Sequence, residues 1–254
     1  MPALKKVLSY PAILLITINS IMGTGIFFLP AVGAGAAGPA SIISWLILSL
    51  ISIYIAMCFG ELSSMYPKSG GIYEYCKQAY GRFFSFIIGW MTVIAGNVTI
   101  AMLVVGAVQY VFPFGSIWIK IGLSLAMVFL FNYIAFRGMQ TSAKMLVIFA
   151  FITLGAILGL TIPGLFKFQL SNFKPFFVAP ASSLILTIFL IAETFFGWET
   201  ATFLSEETKD GKRVMPKALI WGTVIIAIIS LTFVITSLGV IPWKIFGTSS
   251  APLT

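Results

Sequence analysis

Two carboxylates, Glu193 and Glu199, lie in an apolar stretch that is long enough to cross a membrane. They bracket the segment Glu193-Thr-Phe-Phe-Gly-Trp-Glu199, in which a glycine interrupts a run of large side chains. A carboxylate at membrane depth is expensive, so it is a candidate functional group that could bind a cationic amine or exchange a proton. The alternative is a structural pair, buried against hydroxyl groups or a helix end.

A second unusual segment is Gly23-Thr-Gly-Ile-Phe-Phe-Leu-Pro30, where two glycines and a proline lie inside an apolar run. In a helix interior, glycine costs about 1 kcal/mol relative to alanine and proline about 3 kcal/mol. Backbone groups freed at this depth persist only where protein or a cavity satisfies them. The pattern predicts a broken helix, with close helix packing through small residues as the alternative.

The composition indicates that membrane-spanning helices must position these segments. Hydrophobic residues make up 59% of the chain and charged residues 9%, against about 25% charged in soluble domains. This excludes a soluble globular protein, a disordered chain and a secreted disulfide scaffold. Histidine is absent and Cys58 and Cys76 lack metal-ligand spacing, so we predict no metal and no cofactor. The lysines and arginines are scattered between apolar runs, which excludes a nucleic-acid-binding face.

Seven helical spans account for the length of 254 residues, because one span takes about 20 residues. Clusters of glycine and proline, such as Gly33 to Pro39, divide the longest charge-free runs. The segment 61–82 is polar and predicts a loop with a short helix. The predicted spans are 10–32, 39–60, 83–111, 116–136, 141–165, 183–205 and 217–241.

The distribution of lysine and arginine predicts the orientation. With the N-terminus inside, inner segments hold eleven of the fifteen basic residues and outer segments hold four. We therefore predict a multi-pass protein of the plasma membrane with a cytoplasmic N-terminus. Both cysteines then lie on the reducing side, so no disulfide is expected.

The two interrupted spans are the first and the sixth along the chain, so the start of the second interrupted span lies five spans after the start of the first. Five is odd, so a second copy of a five-helix unit is inverted relative to the first. Matched glycine-interrupted segments in inverted halves indicate the binding site of a secondary transporter. Half-helix N-termini there offer N–H donors to a carboxylate, and unwound carbonyls accept from an ammonium group. An amino acid carries both groups on one carbon, so the paired breaks favour a zwitterion.

Four segments of the chain resemble, in the same order, those of the amino acid–polyamine–organocation superfamily of permeases. The segments are Ile21-Met-Gly-Thr-Gly-Ile-Phe-Phe-Leu-Pro30, Tyr66-Pro-Lys-Ser-Gly-Gly-Ile-Tyr73, Gly197-Trp-Glu199, and Glu206-Glu-Thr-Lys209 followed by Pro216. Ala95-Gly-Asn97 looks like the corresponding segment of the basic amino acid and polyamine antiporters within this superfamily. The resemblance covers all seven predicted spans.

This resemblance implies an all-α polytopic membrane protein with a leucine-transporter-like fold of two inverted five-helix repeats and alternating access. Residues 1–165 would form the first repeat and residues 183–254 the start of the second. The substrate carboxylate would lie at the first break and its amino group at the carbonyls of the second. The implied substrate-binding residues are Gly23, Thr24, Gly25, Ile26, Asn97, Phe195, Phe196, Gly197 and Trp198.

The chain departs from the antiporters at Glu193, where they carry a gating aromatic residue. We hypothesise that Glu193 faces the substrate and favours a cationic or small amine-bearing one. The alternative is that it lies near an outer vestibule or packs against threonine or asparagine. Glu199 matches an acidic residue that follows the break in many members, so it is a proton-coupling candidate. It could instead be a hydrogen-bonded anchor for the unwound segment.

We predict transport of amino acids or polyamines across the lipid bilayer, with protons as a further candidate partner. The alternatives are an ion channel and a non-transporting membrane sensor or subunit of the same fold. No metalloprotease or serine-hydrolase motif is present, so no enzyme activity is predicted. Permeases of this superfamily carry ten core spans. The chain is therefore interpreted as the N-terminal part of a permease with an incomplete second repeat, which does not transport alone.

Overall fold

Long α-helices form most of the computed structural model, which describes residues 6–23, 25–112 and 114–249, without the side chains of residues 139 and 140. The helices are α1 (Tyr10–Met22), α2 (Gly25–Ala37), α3 (Ser41–Met65), α4 (Ile72–Val111), α5 (Ile117–Phe136), α6 (Met139–Phe166), α7 (Ser182–Ile191), α8 (Trp198–Thr202), α9 (Gly211–Val240) and α10 (Trp243–Phe246). Short 3-10 helices lie at Gly38–Ala40, Leu170–Phe173, Ala192–Phe195 and Ser205–Glu207.

Six helical segments in this part of the chain are long and apolar enough to cross a membrane. The first, Tyr10–Met65, has 56 residues and contains both of the first two predicted spans. The other five segments correspond to predicted spans 3 to 7. By length and composition, the described residues therefore form an all-helical, multi-pass membrane protein.

The turn between the first two predicted spans lies later than the sequence predicted. Helix α2 continues through Gly33 to Ala37, and the chain turns at Gly38–Ala40, where Gly38 has a φ of 63°. A Cβ added at Gly33 would lie 3.4 Å from Trp45 Nε1. Gly33 thus permits close packing against α3 rather than forming a turn, which is the role that small residues have between membrane helices.

The segment 61–82, predicted as a loop with a short helix, contains a loop at 66–71 and more helix than predicted. Helix α3 ends at Met65 instead of near Gly60, and α4 begins at Ile72 instead of near Phe83. The backbone of α4 is interrupted at Gly81, with φ 82° and ψ −176°. Glycine adopts positive φ without a Cβ penalty, so a short helix and a long one join at this residue.

Helices α1, α2, α3, α7 and α9 enclose the core, with α3 and α9 in the most extensive contact. Its largest fully buried side chains include Trp45, Phe195 and Phe233. Small residues bring the backbones together, since Cβ atoms added at Gly60 and Gly222 would lie 3.3 Å and 3.0 Å from α9 Pro216 and α1 Thr17. By contrast, α5 buries none of its side chains. The broken helices therefore lie at the centre of the packed helices.

The segment before α1 pairs with the segment after α8. The amides of Val7 and Leu8 donate to the Glu207 carbonyl at 2.9 and 3.0 Å, and the Lys209 amide donates to the Leu8 carbonyl at 2.8 Å. Leu8 and Thr208 form a parallel β-bridge and are both buried. This pairing connects the start of the first broken helix to the end of the second.

The Glu207 carboxyl beside this bridge gives a pH-dependent contribution to stability. Its Oε2 is buried and has no hydrogen-bond partner among the described residues. Burial raises the pKa of Glu207, and the negative charge of Glu206 raises it further.

We expect Glu207→Gln to raise the melting temperature at pH 7, with a gain that shrinks towards about pH 4. The raised pKa means that the folded state binds the proton more tightly than the unfolded state. The stabilisation is therefore complete below the ordinary glutamate pKa of 4.5 and is lost as pH rises through the raised value. Thermal denaturation in detergent across this pH range measures the effect. Glu61→Gln, at an exposed carboxyl, is the control, and equal pH profiles for Glu207→Gln and wild type would contradict the prediction.

Candidate functional site

The first helix interruption lies at the predicted glycine segment. Helix α1 ends at Met22, Gly23 has φ 34° and ψ −159°, and α2 begins at Gly25. Thr24, predicted to bind substrate, lies outside the described residues. The last carbonyls of α1 and the first amides of α2 have no partners within their own helices. Two helix ends of opposite partial charge therefore meet at this point.

The second interruption lies between the two carboxylates. Helix α7 ends at Ile191, a 3-10 turn spans Ala192–Phe195, and Phe196 is extended with φ −77° and ψ 148°. Gly197 then adopts φ 136°, and α8 starts at Trp198. A φ of 136° is strongly unfavourable for residues with a Cβ. Gly197 is thus the residue that allows the chain to leave the helical path here.

The two interruptions are in direct backbone contact. A Cβ added at Gly25 would lie 3.0 Å from Thr194 Cα and 3.1 Å from its Oγ1. A Cβ added at Gly197 would overlap the carbonyl oxygen of Ser20 and lie 3.0 Å from Ile21 Cα. Each break therefore packs against the other through a glycine, and a side chain at either glycine would push the helices apart.

Thr194 is a polar residue at this contact that the sequence analysis did not identify. Its side chain is 1% exposed, and its Oγ1 has no hydrogen-bond partner among the described residues. A buried hydroxyl without a partner costs about 1–3 kcal/mol, so this group has capacity to bind a ligand. The signal available in the sequence was a hydroxyl residue next to Glu193 inside the interrupted segment.

The side chains of Glu199 and Trp198 stabilise the start of α8 through hydrogen bonds and ring stacking. Glu199 Oε2 accepts a hydrogen bond from the Gly197 amide at 3.2 Å. The Trp198 indole N–H donates to Thr223 Oγ1 at 2.9 Å, and its ring stacks on Phe59 with centroids 6.0 Å apart. The turn at Gly197 is therefore stabilised by the Glu199 carboxylate and by the contacts that Trp198 makes to α3 and α9.

The other predicted site residues differ in exposure. Ile26 and Phe195 are fully buried in the core cluster that also contains Trp198. Phe196 is exposed, and Glu193 is half-buried. Asn97 is exposed on α4, where its amide donates to the Val93 carbonyl at 2.8 Å. The structure thus brings the residues of the two breaks together, while the Asn97 amide is engaged within its own helix.

The carboxylates at the breaks are not in ion pairs with basic residues of the described chain. The ion pairs found there join Glu74 to Lys68 and to Lys77, outside the two breaks. Neither Glu193 nor Glu199 has a described lysine or arginine within 4.0 Å. In the same part of the chain, no group of three or more Cys, Asp or Glu residues could hold a metal ion.

Comparison of the sequence with known proteins identifies a family. The amino acid permease family model matches residues 8–253. The branched-chain amino acid permease BcaP of Bacillus subtilis is 26% identical over 281 aligned residues, covering 99% of this chain and 58% of that protein. The amino-acid permease RocE of the same organism is 26% identical over 271 residues, covering 98% and 57%. The methylthioribose transporter of B. subtilis is 24% identical over 263 residues, covering 95% and 56%.

These matches cover nearly the whole chain, which spans less than three-fifths of the length of each of these relatives. All three relatives are named as permeases or transporters. The family model includes both helix breaks and the long helices that pack around them. The chain therefore belongs to the amino acid permease family, within the amino acid–polyamine–organocation superfamily.

Proposed function

We propose that this chain forms the substrate-binding part of a secondary transporter for amino acids or related amines, working by alternating access. The observation that carries the proposal is the direct contact of the two helix breaks, Gly25 against Thr194 and Gly197 against Ser20. In a leucine-transporter-like arrangement, such paired breaks form the substrate site at mid-membrane depth. One relative is a branched-chain amino acid permease, which supports an amino acid as the substrate.

The first break supplies groups for the substrate carboxylate. The amides of Gly25 and Ile26 are in the first turn of α2 and have no intrahelical acceptor. The positive end of the helix dipole lies there, and it favours an anion. We therefore assign the substrate carboxylate to the Gly23–Ile26 segment.

The second break supplies groups for the substrate ammonium. The carbonyls near Phe195 to Gly197 lie outside regular helix, and the Thr194 hydroxyl adds an acceptor within the break. Glu193 adds a negative charge that no described basic residue neutralises. These acceptors suit an ammonium group, and Glu193 favours a substrate that carries an additional cationic amine. Asn97 is proposed to face the substrate from α4.

We expect the purified chain to be stabilised against heat by amino acids, because a ligand that binds only the folded state stabilises it by mass action. The screen covers branched-chain, acidic and basic amino acids and polyamines, with the decarboxylated amine and the deaminated acid of each effective compound as matched probes. For neutral amino acids, loss of either the carboxylate or the ammonium group should remove most of the shift in melting temperature. A flat response to every amino acid and amine would contradict the proposed site.

The same screen tests Glu193. We expect Glu193→Gln to reduce selectively the shift caused by lysine, arginine and polyamines, because only these place a second cation near the carboxylate. The shift caused by neutral amino acids is the internal control. An unchanged response to cationic compounds would refute the substrate-facing role of Glu193 and leave the paired-break site standing.

Two substitutions separate the proposed proton role of Glu199 from its structural role. Glutamine can still accept the hydrogen bond from the Gly197 amide, whereas alanine cannot. We expect Glu199→Ala to lose about 1 kcal/mol of stability and Glu199→Gln to keep it. We also expect ligand stabilisation to become independent of pH in Glu199→Gln. A glutamine variant with the full wild-type pH dependence would restrict Glu199 to anchoring the Gly197 turn.

We further propose that the N-terminus is cytoplasmic and that the protein lies in the plasma membrane. The support is the excess of lysine and arginine, eleven to four, at the segments on the N-terminal side. With this orientation, α1 runs outward and α7 runs inward, as two inverted five-helix repeats require. The Leu8–Thr208 bridge then lies at the cytoplasmic end of the broken helices.

A further inference from the structure

A cleft at the N-terminal end of the helices lies outside the two breaks. Its volume of about 660 Å³ is within the range of about 300–1,000 Å³ that is typical of small-ligand sites. Its rim carries Lys6, Lys144 and Lys209, and its wall includes Ala12 of α1 with Val147 and Ile148 of α6. The cleft thus combines three positive charges with an apolar wall.

The three lysines come from separate segments that the fold brings together. Lys6 precedes α1, Lys144 is in the second turn of α6, and Lys209 follows the β-bridge. The backbone hydrogen bond from the Lys209 amide to the Leu8 carbonyl fixes two of these segments side by side. Among the described residues, no carboxylate lies within 4.0 Å of any of the three ammonium groups. Their charges are therefore available to an anion from outside the chain.

We propose that this cleft binds the phosphate group of an anionic membrane lipid, with an acyl chain along α6. Basic pockets between membrane helices on the cytoplasmic side bind such head groups. The apolar wall favours a lipid, because a water-soluble phosphate compound would leave Val147 and Ile148 facing water. Ile148 is 57% exposed and lies within the segment Thr141–Phe166, which is long and apolar enough to cross a membrane, so an acyl chain along α6 would cover it.

A lipid bound in this cleft would contact several separate segments of the chain and so stabilise the fold. The cleft touches the start of the first broken helix, α6, and the segment that follows the second broken helix. A lipid phosphate held by all three lysines connects these segments at one end of the molecule. Bound anionic lipid is therefore expected to stabilise the folded chain, independently of any substrate at the breaks.

Native mass spectrometry and thermal denaturation of the full chain in neutral detergent test the proposal. The probes are dioleoyl phosphatidylglycerol, dioleoyl phosphatidylcholine and inorganic phosphate. We expect saturable binding and stabilisation by phosphatidylglycerol, and much weaker effects of the other two. Equal effects of the two lipids would overturn the proposal. Inorganic phosphate that reproduces the stabilisation and displaces phosphatidylglycerol would overturn the assignment to a lipid.

Matched triple variants test the location of the site. Each lysine beside an anionic lipid contributes about fivefold, so K6Q/K144Q/K209Q should weaken phosphatidylglycerol binding about a hundredfold. The control K212Q/R213Q/K217Q removes three exposed charges from α9, outside the cleft, and should retain binding. K6R/K144R/K209R keeps the charge and should also retain binding, which assigns the loss in the glutamine variant to charge rather than to the lysine side chains themselves. Equal losses in the glutamine variant and the α9 control would overturn the proposal.

Discussion

Gly197→Ala should cause the largest loss of folding stability among substitutions that add a single methyl group at the helix breaks. A Cβ at this position would overlap the Ser20 carbonyl oxygen and lie 2.6 Å from the carbonyl carbon. These are backbone atoms of α1, so no side-chain rotation can relieve the overlap. The backbone φ of 136° adds conformational strain. Strain and overpacking together cost about 2–6 kcal/mol.

This substitution should also separate the two breaks, and we therefore expect no amino acid to stabilise the variant against heat. The measurements are the yield of monodisperse protein, its melting temperature and the ligand-induced shift. Gly155→Ala is the matched control, because a Cβ there meets open space and alanine favours helix by about 1 kcal/mol. A Gly197→Ala protein with wild-type stability and ligand response would contradict the contact between the breaks.

Trp198→Ala should also cause a large loss of folding stability. The Trp198 side chain is 4% exposed, stacks on Phe59 and donates to Thr223. Removing a buried tryptophan costs about 3–5 kcal/mol, through lost contacts and the cavity that remains. Trp198→Phe keeps a ring against Phe59 and loses the hydrogen bond, so it should cost only about 0.5–1.5 kcal/mol.

Trp221→Ala is the control for this series, since Trp221 is on α9 and 56% exposed. Exposed substitutions usually change stability by less than about 0.5 kcal/mol. The fraction of monodisperse protein that survives heating, measured by size-exclusion chromatography, ranks the variants. Similar losses for the two alanine variants would contradict the role of Trp198 as a packed anchor of α8.

Several elements of the fold followed from local composition. The spans predicted at 116–136 and 141–165 correspond to α5 and α6 within two residues, because polar or glycine-containing segments bound each apolar run. The predicted breaks follow from glycines and carboxylates that an uninterrupted membrane helix tolerates poorly. Local residue types therefore suffice where the penalty for continuing a helix arises within the segment itself.

Other features depended on contacts between distant residues. The cluster Gly33 to Pro39 predicted a turn at its start, yet Gly33 lies within α2 and packs beside Trp45. Glycine is used both for turns and for close helix packing, and its neighbours along the chain do not distinguish these uses. Thr194 was missed for a similar reason, since its unpartnered hydroxyl is recognised only from the residues packed around it.

The sequence by itself determined the membrane class, the approximate spans and the two segments at which helices break, because these depend on hydrophobicity and local backbone preferences. Only the tertiary structure decided that Gly25 meets Thr194 and that Gly197 meets Ser20. The paired residues lie more than 150 positions apart, and their contact results from how α1, α2, α7 and α8 pack together. The gathering of three lysines around one cleft has the same cause, since their segments become neighbours only after the helices associate.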